Sequence, residues 1–250
     1  MAPRVHDNPA ARHVGRRVLA FDSVPSTNDV AAGEPDGTAV VAGFQTAGRG
    51  QYGRAWQSRP GASLLLSVVV HPPPELRRPV VLTAWAAVAV GDAILELTGV
   101  QAPVKWPNDL LVRGKKVCGI LIEQASGKTL RTVVGIGLNL NQTAAEFLEA
   151  ELPAATSLAE IAGTPCDPDL AARTVLRKLD DEYAQLIAGE TVALEADWKW
   201  RIGLLGRPVV VELADGSHVS GRLKEMSFDG LDVEGLATIR PEFVRHLSPA

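Results

Sequence analysis

The chain has 250 residues, of which 46% are hydrophobic and 22% charged, enough for one large core or for a domain of about 200 residues with a small one attached. A formal net charge of −4 argues against nonspecific nucleic-acid binding as the main activity. Two cysteines, Cys118 and Cys166, give no disulfide framework, and the first residues lack the apolar core of a signal peptide, so a cytoplasmic protein is expected.

Residues 1–15 read as a loose tail and 17–21 as a short strand. Ser26, Thr27, Asn28 and Asp29 offer capping side chains to a short helix that Gly33 ends. Segments 38–44 and 63–70 read as strands flanking a glycine-rich loop. Residues 79–97 form the main core helix, with Pro79 at its start and Gly99 just past its end. Thr83, Gly91 and Asp92 interrupt its apolar run, which favours a buried helix over a membrane span. Residues 104–106 are a strand stopped by Pro107, and 109–112 with 116–123 form a hairpin. Gly127 marks a turn before a long strand at 129–140. Ser157-x-x-Glu160 reads as a capping box, and Asp167-Pro168 opens a helix reaching 187. Residues 197–201 end the helical region. From Gly206 the texture becomes short strands with Asp-Gly turns, at 209–213, 219–223, 231–233 and 238–239. The pattern predicts an α+β fold: a mixed β-sheet packed with helices, plus a small C-terminal β-barrel.

The densest chemistry lies in the loop Gly48-Arg49-Gly50-Gln51-Tyr52-Gly53-Arg54-Ala55-Trp56. Glycines let backbone N–H groups approach a ligand, and arginines supply permanent charge for phosphate or carboxylate. Gly48-x-Gly50-x-x-Gly53 matches the dinucleotide fingerprint, but a strand follows where that fingerprint needs a helix. Lys105-Trp106-Pro107-Asn108-Asp109 presents three polar side chains from a corner that Pro107 stiffens. Lys116 begins a strand of apolar residues, where a lysine needs an anion, and Gly119 in mid-strand suits close approach of another group. Gly135-Ile136-Gly137-Leu138-Asn139-Leu140-Asn141 leaves bare backbone on one strand face, a seat for a flat aromatic such as a purine.

Ser26-Thr27-Asn28, Gln45 to Trp56, Lys105 to Asp109, Lys116-x-x-Gly119-Ile120-Leu121-x-Glu123 and Gly135 to Asn141, in this order, resemble the biotin protein ligases. The resemblance covers 17–141 by motif, and the C-terminal β region is similar to that family's SH3-like domain. It implies a loose tail at 1–16, a catalytic domain at 17–202 and an SH3-like domain at 203–250. It also implies an enzyme that joins biotin to ATP and passes biotin to a lysine of the carrier domain of a biotin-dependent carboxylase. The catalytic group would be Lys116, Arg49 and Asp109. Ser26, Thr27, Asn28, Gln45, Arg49, Gly50, Gln51, Lys116 and Gly119 would bind biotin. Arg49, Arg54, Trp56, Lys105, Asn108, Lys116, Gly137 and Asn139 would bind ATP. Mg²⁺ would be shared between phosphate oxygens, helped by Asn108 or Asp109. Asp109 would act in the transfer step, and the glycine loop would exclude water from the intermediate.

Two departures stand out. Gln51 takes a position commonly held by Arg in bifunctional members, which removes a charge from the loop. The residues before Arg17 are too few for a winged helix-turn-helix, so the resemblance points to the monofunctional group, without DNA or membrane partners. The lipoate ligases typically carry Arg-Arg-x-Gly-Gly-Gly with a nearby His-Asp pair, and neither occurs here.

Overall fold

The computed structural model describes residues 2–124 and 131–250. Strand β1 (Arg4–Asp7) pairs antiparallel with β2 (Arg17–Phe21). The short helix α1 (Thr27–Ala31) then leads to β3 (Thr38–Ala42), parallel to β2. Strand β4 (Ser63–Val70) returns antiparallel to β3, with all of its residues buried. Helix α2 (Pro79–Thr98) opens on proline and closes on Gly99 in the left-handed region, where only a residue lacking Cβ is unstrained. Strands β5 (Val104–Lys105), β6 (Asp109–Val112), β7 (Lys115–Gln124) and β8 (Thr132–Asn139) complete the sheet in the order β1-β2-β3-β4-β8-β7-β6-β5. The expected turn at Gly127 and strand start at 129 lie outside the described residues.

Helices α3 (Ala144–Glu149), α4 (Leu158–Ala162), α5 (Pro168–Ile187) and α6 (Thr191–Ile202) follow. By length and composition α2 is apolar enough to cross a membrane, against the sequence expectation. It is instead the central core helix, with Trp85, Leu82 and Ile94 fully buried and contacts to α5, α6 and β7. The Trp85 indole N–H donates to the Leu179 carbonyl on α5 at 3.1 Å, so its one polar atom is satisfied inside the core.

Two sequence expectations are corrected by side-chain hydrogen bonds. Residues 1–16 are not a loose tail. Besides the β1–β2 pairing, the buried Asp180 carboxylate on α5 accepts from the backbone N–H groups of Arg12 (2.9 Å), His13 (2.7 Å) and Val14 (2.8 Å). Burial alone would raise the Asp180 pKa, but those three donors and the Arg12 charge hold it below the usual carboxylate range. At the second position, Ser157 accepts from the Glu160 N–H, but the Glu160 carboxylate turns away to the Ala144 N–H at 3.3 Å. The complete capping box is Thr143 with Glu146, at the head of α3, a helix the sequence reading missed.

After Gly203, strands β9 (Pro208–Leu213), β10 (His218–Met226), β11 (Leu231–Val233) and β12 (Val244–Pro249) form a second antiparallel sheet in the order β11-β10-β9-β12. It agrees with a small SH3-like unit. Residues 238–239 contribute only a bridge, Leu231 to Ile239, and β12 was not foreseen. The core runs continuously into this sheet. Trp198 on α6 sits between Trp106 and Phe228, with ring centroids 5.6 and 5.3 Å away, each pair adding ~0.5–1.5 kcal/mol beyond area burial. The Trp106 indole N–H donates to the Val244 carbonyl at 3.1 Å. That bond ties the Lys105–Asp109 corner to the last strand.

Candidate active site

Strand pairing assembles the candidate residues. Gly119 on β7 lies opposite Gly137 on β8 and Asp109 on β6, placing three motifs side by side. The β6–β7 register then shifts: Leu110 opposes Cys118, but Leu111 opposes Lys116. One extra residue on β7 breaks the alternation of faces. Val117 and Cys118 therefore both face the core, while Lys116 and Gly119 share the other face. A bulge thus aims the lysine, and no motif reading had located it. Burial pushes the Cys118 thiol pKa up, so this cysteine is inert despite its lysine neighbour.

Two connected clefts open on that face. The inner one holds ≈ 480 Å³ and the outer ≈ 1050 Å³. Both are lined by Gly50, Gln51, Trp56, Asn108 and Lys116, so these five residues stand at their junction. All nine residues expected to meet biotin line the inner cleft: Ser26, Thr27, Asn28, Gln45, Arg49, Gly50, Gln51, Lys116 and Gly119. Arg54, Trp56, Lys105, Asn108, Asp109, Lys116 and Asn139 line the outer one.

The closed end of the inner cleft is a hydrogen-bonded cluster. The Gln45 side-chain oxygen accepts from the Thr27 backbone N–H at 2.7 Å and from its hydroxyl at 3.0 Å. The Ser67 hydroxyl, wholly buried on β4, lies 2.7 Å from Thr27 Oγ1 and donates to Asn28 Oδ1 at 2.6 Å. Asn28 Nδ2 donates to Glu123 at 2.7 Å. Ser67 and Glu123 were assigned no role from the sequence. The signal for Ser67 was a hydroxyl in the middle of a strand that is otherwise apolar after Ser63.

At the junction, Lys116 Nζ lies 2.6 Å from Asp109 Oδ1 and 5.6 Å from the Trp56 ring centroid. Asp109 Oδ1 is buried and makes no directed hydrogen bond, so the contact is a charge pair rather than an aligned bond. The Lys116 backbone is pinned separately, donating to the Ala154 carbonyl at 2.7 Å and accepting from Thr156 N–H at 2.9 Å. Asn139 donates to the Thr156 carbonyl at 3.0 Å, which braces the same segment. Asn108 spends an amide hydrogen on the Ile120 carbonyl at 2.6 Å and keeps its own side-chain oxygen free of that bond.

Two expectations about ATP binding are corrected. The glycine face of β7 and β8 is already covered by an aromatic ring, the Trp56 indole. A Cβ on Gly137 would stand 2.5 Å from Trp56 Cε2, and one on Gly119 would stand 3.1 Å from Cζ3. Any other residue at Gly137 would collide with the ring, so the seat expected for a purine belongs to the protein. Arg49 is likewise not grouped with the outer cleft. Its guanidinium forks onto Asp29 at 2.7 and 2.9 Å and reaches Glu123 at 3.2 Å. The Asp29 bond, ahead of Glu123, holds the Arg49 pKa above its ordinary value and Asp29 below the usual carboxylate range. Two carboxylates outcompete any single one at the junction. Arg54 and Lys105 remain exposed at the outer cleft.

The loop is shaped for this placement. Gly50 N–H donates to the Arg54 carbonyl at 2.7 Å, and Trp56 N–H to the Gly48 carbonyl at 3.0 Å. At its tip Tyr52 adopts φ 57°, unusual for a residue with a side chain. Its ring lies 4.8 Å from Arg245 Cζ and 6.3 Å from the His246 ring, both on β12. His246 also lines the outer cleft. Among the described residues, Gln51 Oε1 and Trp56 Nε1 are buried without partners, and both belong to residues at the junction. Buried polar atoms of this kind call for a partner, which a ligand can supply. The arrangement suits a ligand with a polar head in the inner cleft and an anionic group beside Lys116, next to room for a larger anion outside.

Comparison with known proteins agrees. Residues 20–141 match the Biotin/lipoate A/B protein ligase family. The chain is 36% identical over 230 residues to a bifunctional ligase/repressor BirA of Bacillus subtilis, covering 89% of this chain and 69% of that protein. It is 34% identical over 214 residues to a biotin--[acetyl-CoA-carboxylase] ligase of Mycobacterium tuberculosis, covering 82% and 76%. Its fold superposes on a biotin protein ligase from Aquifex aeolicus in complex with biotin and ATP with a TM-score of 0.80 and 28% identity, over 93% of this chain and 99% of that one.

Proposed function

The chain belongs to the Biotin/lipoate A/B protein ligase family, and on that premise we propose that it is an ATP-dependent biotin ligase. The observation that carries this reading is the junction of the clefts. One lysine, charge-paired to Asp109, stands where a buried polar pocket meets a wider cationic cleft. The polar inner end favours biotin over lipoate, since a dithiolane ring offers no acceptor to the Asn28 N–H that Glu123 does not take.

In the first step a biotin carboxylate oxygen attacks the α-phosphorus of ATP and pyrophosphate leaves. Two anions must meet, so a preorganised cation at the meeting point lowers the barrier. Lys116 supplies that charge, and Asp109 keeps its ammonium directed at the junction. Arg54 and Lys105 flank the outer cleft, where the phosphates would lie. Among the described residues no three carboxylate, histidine or cysteine side chains gather to cage a metal. Mg²⁺ held mainly by nucleotide oxygens fits this, with the side chains of Asn108 and Asp109 as the protein groups nearby. It would neutralise charge between phosphates. In the second step the amine of an acceptor lysine attacks the acyl carbon and AMP departs. That amine is protonated near neutral pH and must shed a proton, and Asp109 is the carboxylate beside the reacting centre. The acceptor in this reading is the carrier domain of a biotin-dependent carboxylase; the name of the mycobacterial relative gives acetyl-CoA carboxylase.

ATP–pyrophosphate exchange tests the reading directly. Exchange driven by biotin and not by lipoate supports it; exchange with lipoate alone, or with neither, overturns it.

A further inference from the structure

Recognition of a polar ring needs donors and acceptors on the correct sides. A carboxamide offers both, and a half-turn about its last bond swaps them. Asn28 lines the inner cleft, and its side chain rests against bare backbone at Gly135, where a Cβ would collide with it. Two neighbours outside the cleft lining decide which way it points. A carboxylate only accepts, so Glu123 takes Asn28 Nδ2, at 2.7 Å. With the amino group held there, the Asn28 oxygen faces the buried Ser67 hydroxyl and accepts from it at 2.6 Å. Glu123 selects the orientation, and Ser67 holds the oxygen in it. The flipped amide would set oxygen against oxygen at Glu123 and give up the bond from Ser67 to the Asn28 oxygen. One Asn28 N–H then remains after Glu123 is served, while its oxygen is occupied.

We propose that Ser67 and Glu123 are positioning residues that lock the Asn28 carboxamide as a hydrogen-bond donor, so that this end of the cleft selects a ligand bearing an acceptor, such as the exocyclic ring oxygen of biotin. The inference rests on biotin being the substrate. Glu123 also reaches Arg49 at 3.2 Å, so its two duties have to be separated. Asp29 allows this, because among the described residues its carboxylate binds Arg49 and not the Asn28 carboxamide.

The test measures biotin KM, ATP KM and kcat in pyrophosphate exchange for wild type, S67A, E123Q, D29N and N28A, and for S67A and E123Q combined with N28A. S67A and E123Q are each expected to raise biotin KM about tenfold, with kcat and ATP KM changed little. Added to N28A, neither should raise biotin KM further by more than about twofold, since the group they orient is gone. D29N should leave biotin KM within about twofold of wild type. A second readout uses 2-iminobiotin, whose protonated imino nitrogen replaces the ring oxygen with a donor. Wild type should prefer biotin, and S67A, which changes no charge, should lower that preference about tenfold. Full persistence of both effects in the N28A background, or an unchanged analogue preference in S67A, overturns the proposal while the ligase reading stands. Wild-type protein that exchanges with neither compound overturns both. If S67A does not fold, E123Q carries the cycle alone, because its carboxylate is at the rim rather than in the core.

Discussion

The inner and outer clefts share a wall but are built on opposite principles. The inner end is shaped before any ligand arrives: Thr27, Asn28, Gln45, Ser67 and Glu123 are linked within 3.0 Å, with one Asn28 N–H left over. The outer cleft is more than twice as large and is lined by exposed cations, Arg54 and Lys105, without such a lattice. The difference teaches that recognition and reaction make different demands. A neutral ring is read by fixed dipoles on rigid elements, here α1, β4 and β7. A transferring phosphate needs charge that is close but uncommitted. Lys116 is the transition between the two, paired once and out of line.

Removing Lys116 is the strongest way to break this contrast. K116A is expected to lower adenylation roughly 10²–10³-fold, the scale of losing a preorganised charge contact, with biotin affinity much less affected. Equal loss of biotin binding in calorimetry would show that the two clefts are one site energetically. Filling the shared wall comes next. G137A places a methyl group against the Trp56 ring and should destabilise the fold by about 1–3 kcal/mol, read as a lower urea midpoint. In a W56A background the same change should cost far less; equal cost would mean that the ring is not what Gly137 accommodates. D109N frees Lys116 and should slow adenylation and transfer alike, about tenfold each. Slowing of transfer alone would confine Asp109 to the acceptor amine, as the sequence had suggested. The smallest effect belongs to D29N. Its pair with Arg49 is largely exposed, so stability should fall by no more than about 1 kcal/mol, and by less in high salt.

Much of the inner cleft was legible because its residues come in short, chemically dense strings. The glycine loop announces an anion contact through its composition, the resemblance adds Ser26-Thr27-Asn28, and all nine residues expected to meet biotin line the cleft. The hairpin and the long core helix were equally clear from periodicity and from Pro79 and Gly99. What escaped depends on pairings across the chain. Asn28 and Glu123 are 95 positions apart, and Ser67 reaches back 39 to Asn28. Nothing local says which residue such partners meet. The bulge that turns Lys116 exists only once β6 and β7 are paired, and Trp56 reaches Gly137 only through the tertiary fold. Strand β1 failed for a related reason: four exposed residues become a strand only because β2 offers an open edge. The strings named the chemistry, and the long-range bonds decided its direction.

Tyr52 leaning on Arg245 and His246 has a practical corollary for handling this protein. The final strand stops at Pro249, so an affinity handle fused after Ala250 would begin within a few residues of the cleft mouth. A handle before Arg4 would leave from the opposite border of the large sheet, far from the reacting groups. Kinetic comparisons between differently tagged preparations should therefore favour the latter.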